Sequence, residues 1–161
     1  MKILVVSDTH RKMDNLYKVV EKEKPLDMII HCGDIEESAD YLRGMVNCPV
    51  CVVAGNNDFF HRYDKELVIP LCDGFKGLVT HGNQYYISMG VEMLANEARA
   101  RGVDFAFFGH THRPYCNIVN GVQMINPGSL SYPRQDNRLP SYAILNIDNG
   151  AYKCDIHYFE N

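Results

Sequence analysis

No lysine- or arginine-rich run appears anywhere in these 161 residues, and no apolar stretch approaches membrane-spanning length. The first absence, with a formal charge of −4 and a pI near 5.9, removes the electrostatic footprint that a phosphate backbone requires. Large nucleic acids are therefore not the expected substrates. The second absence excludes a membrane span. The stretch from Met1 to Val6 is too short for a signal peptide and runs into Asp8, so it reads as a first core strand, and a cytoplasmic protein is expected. Internal repeats, low-complexity segments and linkers are also missing. At 46% hydrophobic and 22% charged residues, the chain has the composition of one globular domain over residues 1–161. Finally, Cys48-Pro49-Val50-Cys51 lacks a second CxxC and a following helix start, which argues against a zinc or redox role. Cys32, Cys51 and Cys154 fall within apolar runs and read as reduced core thiols.

What is present is a fivefold pattern. Five apolar runs, Ile3 to Val6, Met28 to Ile30, Val50 to Ala54, Leu78 to Val79 and Phe105 to Phe108, each break into polar residues at their ends. Helical spacing is expected over residues 15–23, 38–45 and 89–101, the last with Ser88 as N-cap and Gly102 as its stop. After Pro114 the chain turns to short β-prone segments separated by Asn120-Gly121 and Asn149-Gly150, both strong hairpin signals. A parallel βαβ half followed by an antiparallel meander predicts an α/β fold in which two sheets pack face to face with helices outside.

Asp8, His10, Asp34, Asn56, His81, His110 and His112 all follow these strands. In open α/β sheets, side chains beyond the carboxyl ends of strands converge on one crevice. Carboxylates, imidazoles and one amide suit manganese, iron, zinc, cobalt or nickel better than calcium or magnesium. Seven donors exceed one tetrahedral ion but suit two ions that share a bridging carboxylate. Asp8-Thr9-His10 and His110-Thr111-His112 alternate, so in extended chain both outer members of each would face one side.

These clusters resemble the five motifs of the calcineurin-like metallophosphoesterase superfamily: Asp8-x-His10, Gly33-Asp34, Gly55-Asn56-Asn57-Asp58, His81-Gly82 and Gly109-His110-x-His112. His31-Cys32-Gly33-Asp34 and Asn126-Pro127-Gly128-Ser129 are most similar to its small YfcE/MJ0936-type phosphodiesterase branch. The resemblance implies a four-layer αββα sandwich of two mixed β-sheets flanked by helices. It also implies two divalent transition-metal ions, Mn²⁺ foremost and Ni²⁺, Fe²⁺, Zn²⁺ or Co²⁺ as alternatives. Asp8, His10, Asp34 and His112 would hold one ion, and Asp34, Asn56, His81 and His110 the other. The implied activity is hydrolysis of a small phosphodiester, or alternatively a phosphomonoester, by direct attack of a hydroxide bridging the ions. One departure stands out: many family members carry a proton-donating His where this chain has Asn57, followed by Asp58. That absence favours good leaving groups and leaves Asn57 and Asp58 as substrate contacts or supports of the ligands. The same fold resembles a membrane-coat scaffold subunit, the rival reading.

Simpler roles are set beside these. A single His or Asp more often caps a helix or packs in a core. His31 is expected to be packed or to support a ligand, and His61 and His157 to lie at the surface. Asn126 to Ser129 is a turn or a support for the site, and Arg113 and Arg134 are solvated or contact phosphate. Phe59, Phe60, Tyr63, Tyr85 and Tyr86 line either a cleft or a subunit contact, which leaves a homodimer open.

Overall fold

The computed structural model describes residues 1–60 and 62–160; His61 lies outside the described residues. Among the described residues ten strands form, β1 (Lys2–Val6), β2 (Met28–His31), β3 (Val50–Val52), β4 (Glu66–Pro70), β5 (Lys76–Thr80), β6 (Phe105–Phe107), β7 (Pro114–Val119), β8 (Val122–Pro127), β9 (Ser141–Asp148) and β10 (Ala151–Tyr158). Three α-helices accompany them: α1 (Asp14–Glu23), α2 (Asp40–Gly44) and α3 (Glu92–Ala100). All five apolar runs are strands.

The strands make two five-stranded mixed sheets, ordered β10-β9-β1-β2-β3 and β4-β5-β6-β8-β7. Within the first, β1, β2 and β3 run parallel and β9 pairs antiparallel with β1. Within the second, β5, β6 and β8 run parallel while β4 and β7 are antiparallel edges. The expected C-terminal meander is instead two hairpins, one delivered to each sheet. Both turn where expected, with left-handed φ at Asn120 (53°), Gly121 (83°), Asn149 (52°) and Gly150 (76°), the geometry of type I′ turns.

Side-chain alternation sorts the core into layers. Along β1, Ile3 and Val5 point between the sheets with Ile30, Phe105 and Leu145, while Leu4 and Val6 face α1 and α2 with Leu16, Val20 and Leu42. On the outer face of the second sheet, Leu94, Ala95 and Ala98 of α3 cover Leu78, Ala106 and Met124. The result is a four-layer αββα sandwich, and strands buried on both faces read as continuous apolar runs. No described helix is long and apolar enough to cross a membrane.

Two boundaries differ from the sequence reading. Helix α3 begins at Glu92 rather than near Met89, and Val91, not Ser88, holds the N-cap position without a side-chain cap. Residues 83–85 form a 3₁₀ turn instead, closed by Tyr86 at φ 52°. Strand β4 was not expected. It is an edge whose Leu67 and Ile69 pack inward while Val68 is exposed, so its three adjacent apolar residues show no alternation in sequence.

All six cysteines are free, and burial raises the Cys51 thiol to about 11 and the Cys48 thiol above its ordinary value, unlike a redox pair.

The fully buried Tyr142 of β9 donates to Glu23 Oε1 at the end of α1 (2.7 Å), and Lys2 Nζ meets Glu23 Oε2 at 2.9 Å. This joins the first helix to the sheet. Tyr142→Phe is expected to cost about 1.5–3 kcal/mol, the range for a hydrogen bond to a charged group, read as a lower urea midpoint with unchanged far-UV circular dichroism. An unchanged midpoint would show that the contact contributes nothing.

Candidate metal centre

The carboxyl ends of β1, β2, β3, β5 and β6 open on one crevice, and all seven singled-out donors meet there. The first group gathers Asp8, His10 and His112. His112 Nε2 lies 3.2 Å from Asp8 Oδ1 and 3.3 Å from His10 Nε2, which is 3.9 Å from both Asp8 Oδ1 and Asp34 Oδ2. The second gathers Asp34, Asn56, His81 and His110. Asn56 Oδ1 is 2.9 Å from His110 Nδ1 and 3.2 Å from His81 Nε2, which stands 3.5 Å from Asp34 Oδ2. Asp34 Oδ2 thus faces a histidine of each group. Asp8 also comes within 4.8 Å of Asp34 and His81, so the two groups adjoin along their carboxylates.

The backbone reaches this arrangement differently from the extended alternation expected of the DxH and HxH pieces. Asp8, His10, Asp34, His110 and His112 all have positive φ, 54°, 45°, 53°, 67° and 56°. Left-handed turns, not strand alternation, aim the paired side chains together. Such conformations cost on the order of 1–3 kcal/mol each and persist when the surroundings over-determine them. The surroundings here do. Gly33 (φ 96°) lies so close to Gly55 N and His81 Nδ1 that a Cβ would sit 2.7 and 2.8 Å from them. At Gly109 a Cβ would collide with Ser7 Oγ and Asp8 Oδ2. The glycines of the GD and GH motifs are therefore required by close packing.

A set of partners outside the donors fixes the imidazoles. His81 Nδ1 donates to the Cys32 carbonyl (2.8 Å), His112 Nδ1 to the Tyr132 carbonyl (2.7 Å), and His10 Nδ1 pairs with Glu36 Oε1 (2.6 Å). Each Nε2 is thereby left with its lone pair directed inward, as metal-ligating histidines require. Glu36 escaped the sequence reading, although its place two residues after Asp34 was visible. The two carbonyls carry no sequence signal. Asn57 places both Asp34 oxygens, its N–H donating to Oδ1 (2.8 Å) and its Nδ2 to Oδ2 (2.6 Å). Asp58 is buried and accepts from the N–H groups of Asp34, Gly55 and Glu36 at 2.7, 2.8 and 2.6 Å, tying two motif loops together rather than facing the crevice.

The Asn126-Pro127-Gly128-Ser129 turn supports the same loops. Asn126 Nδ2 donates to the Gly109 carbonyl (2.8 Å) and Thr111 Oγ1 (3.1 Å), and Ser129 Oγ donates to the Asp8 carbonyl (2.8 Å). His157 is half-buried and stacks on Tyr142 rather than lying free at the surface. Phe59, Phe60 and Tyr86 are exposed, Tyr85 donates to Glu66 (2.7 Å), and Tyr63 accepts from the Ala39 N–H (3.0 Å).

The donors present fit a cation. Asp8 Oδ1 is completely buried and accepts no hydrogen bond among the described residues. The inward lone pairs of His10 and His112 confront each other across 3.3 Å. Buried unpaired acceptors are costly, and an ion among them resolves both. Without one, a proton does part of that work. Burial disfavours protonated His112, but Asp8 and the Tyr132 carbonyl outweigh it and raise its pKa; burial and then His81 lower that of His110. Burial also pushes the Asp8 carboxyl up, yet His112 and His81 together hold it below its ordinary value.

Comparisons with known proteins follow the same lines. The calcineurin-like phosphoesterase superfamily domain matches residues 1–150. The probable metallophosphoesterase YsnB of Bacillus subtilis is 36% identical over 152 residues, 94% of this chain and 87% of that protein. Phosphodiesterase MJ0936 of Methanocaldococcus jannaschii is 27% identical over 170 residues, covering 95% and 97%. Among solved structures, a predicted phosphoesterase from Streptococcus pneumoniae TIGR4 superposes with a TM-score of 0.85 at 30% identity, covering 98% of this chain and 88% of that one. Vps29 from Entamoeba histolytica, solved in complex with Zn²⁺, superposes with a TM-score of 0.78 at 27% identity, covering 99% and 100%.

His31 gives a pH test of the buttress. It is fully buried, accepts the Gly33 N–H at Nδ1 (3.3 Å) and meets Thr9 Oγ1 at Nε2 (3.1 Å). Burial lowers its pKa to about 4, against the pull of Asp58 and Asp8. The unfolded chain therefore takes up this proton first as pH falls. Stability is full above about 6.5 and declines as pH drops toward 4, by on the order of 2–3 kcal/mol. In chelator-treated protein, His31→Gln is expected to flatten the dependence of the urea midpoint over that window. An identical slope in both proteins would remove His31 as its source.

Proposed function

The chain belongs to the calcineurin-like phosphoesterase superfamily, and from that premise we propose that it is a dinuclear-metal phosphodiesterase acting on a small diester. Asp8, His10, Asp34 and His112 would hold one divalent ion and Asp34, Asn56, His81 and His110 the other. The observation that carries this reading is the single oxygen Asp34 Oδ2, which faces His10 Nε2 on one side and His81 Nε2 on the other. A bridging carboxylate needs that position. Mn²⁺ is the first choice and Ni²⁺, Fe²⁺, Zn²⁺ or Co²⁺ the alternatives, because imidazole with carboxylate excludes the oxygen-only preference of calcium and magnesium.

When bound, the ions supply Lewis acidity toward the phosphoryl oxygens and a water acidic enough to serve as nucleophile near neutral pH. The chain's own residues set the geometry. Asn57 fixes the plane of the Asp34 carboxylate, and Glu36 with the Cys32 and Tyr132 carbonyls fixes three imidazole tautomers. Position 57 is engaged in that task, with its amide on Asp34, and offers no proton to a leaving oxygen. A general acid contributes about 10²–10⁴-fold in rate, so its absence there favours diesters with good leaving groups. A monoester brings an additional charge that calls for a cationic or acidic partner, and Asn57 supplies neither. The complete donor set supports an enzyme over the scaffold reading.

Turnover of bis-p-nitrophenyl phosphate with added Mn²⁺ or Ni²⁺ tests the proposal. Wild type is expected to be active and chelator-sensitive, to prefer the diester over p-nitrophenyl phosphate, and to lose about 10²-fold or more in Asp34→Asn and His112→Ala. Equal activity in all three proteins, or indifference to chelator, would contradict it.

A further inference from the structure

Two clefts meet beside the metal centre, and one side chain lines both. The first, about 510 Å³, is bounded by His10, His112, Glu36, Tyr132, Arg134 and Arg138. It opens directly over the first group of donors. The second, about 790 Å³, is lined by Met89, Pro114 and Tyr115 over the buried Ile87 and Phe108 and by the polar Ser88, Glu92 and Arg113, and Arg134 stands at its edge as well. Thr111, between His110 and His112, also lines it, so this cleft starts at the metal-bearing loop. The Arg134 main chain is tied there, its N–H donating to the His112 carbonyl at 3.0 Å. Arg134 is exposed, and its guanidinium has no hydrogen-bond or ion-pair partner among the described residues.

We propose that the second cleft seats the ester arm that stays on phosphorus, that this arm is a ring-bearing apolar group, and that Arg134 binds a phosphoryl oxygen at the junction. This deepens the phosphodiesterase reading and rests on it. A diester differs from a monoester in having a second arm, and the molecule provides a second place. Its size lies within the ~300–1,000 Å³ of ordinary small-ligand sites. The wall chemistry selects the arm. Phe108 is buried in the core and backs the half-buried Tyr115, their ring centroids 6.2 Å apart and tilted by 54°, so Tyr115 is held as the aromatic surface available to an incoming ring. Arg113 stands on the same rim, a cation placed to stack on an aromatic arm. Arg134 then reads the charge that every diester carries, through a planar fork suited to phosphoryl oxygens.

Two measurements test this independently of each other. In chelator-treated, isotope-labelled protein, phenyl phosphate is expected to shift the backbone amides of Gly90, Thr111 and Tyr115, whereas inorganic phosphate shifts only those around Arg134. Identical shifts with both ligands, or none at Gly90 and Tyr115, would overturn the assignment of the cleft. With metal added, wild type is expected to favour bis-p-nitrophenyl phosphate over methyl p-nitrophenyl phosphate in kcat/KM. Tyr115→Ala is expected to reduce that preference about fivefold to tenfold, mainly through KM. Arg134→Gln is expected to raise KM for both esters, with partial recovery in Arg134→Lys. Turnover of both esters with an unaltered ratio in Tyr115→Ala overturns the cleft and leaves the hydrolase standing. Turnover of neither ester by wild type removes the hydrolase, while the amide shifts still decide the cleft.

Discussion

Two carboxylates, Asp8 and Asp34, stand buried among four imidazoles, and no lysine or arginine among the described residues pairs with either. Burying charge without a fixed cationic side chain costs several kcal/mol, and a cation seated among these groups would offset that cost. Much else follows from that constraint. The inward lone pairs of His10, His81 and His112 exist because Glu36 and two carbonyls occupy their other nitrogens. The left-handed turns at five of the seven donors are tolerated because neighbouring loops hold them.

The layered fold supplies those neighbours. Parallel strands in both sheets bring five loops to one end of the sandwich, so donors from Asp8 to His112 meet without any long-range motif. The C-terminal hairpins, which contribute no donor, complete the site from behind. The turn leaving β8 ties Asp8 and Gly109 in place through Ser129 and Asn126, and the loop before β9 supplies the Tyr132 carbonyl that orients His112. Residues after the last donor are therefore as necessary to the geometry as the motifs themselves.

How much was legible in the sequence depended on where each signal resides. Strands buried on both faces announce themselves as apolar runs, and Asn-Gly turns fix hairpins through backbone conformation, so β1, β2, β5, β6 and both hairpins were readable. Strand β4 was not, because an edge exposing Val68 loses its alternation. The start of α3 was misplaced, since Ser88 resembles a cap but the chain spends residues 83–85 on a 3₁₀ turn first. At the site, residue types and order located the donors, while the assumption of extended DxH and HxH segments was wrong; positive φ at Asp8 and His110 is a tertiary property. Backbone carbonyls such as that of Cys32 have no identity in a sequence at all. Clefts have even less, as the cavity shared by Arg134 and Tyr115 arises from segments distant along the chain.

Crystals soaked with Mn²⁺ and measured on both sides of the manganese absorption edge would test the central claim most directly. The account predicts two anomalous peaks roughly 3.5–4 Å apart, one among Asp8, His10 and His112, the other among Asn56, His81 and His110, with the Asp34 carboxylate between them. A single peak, or two that do not flank Asp34, would contradict it.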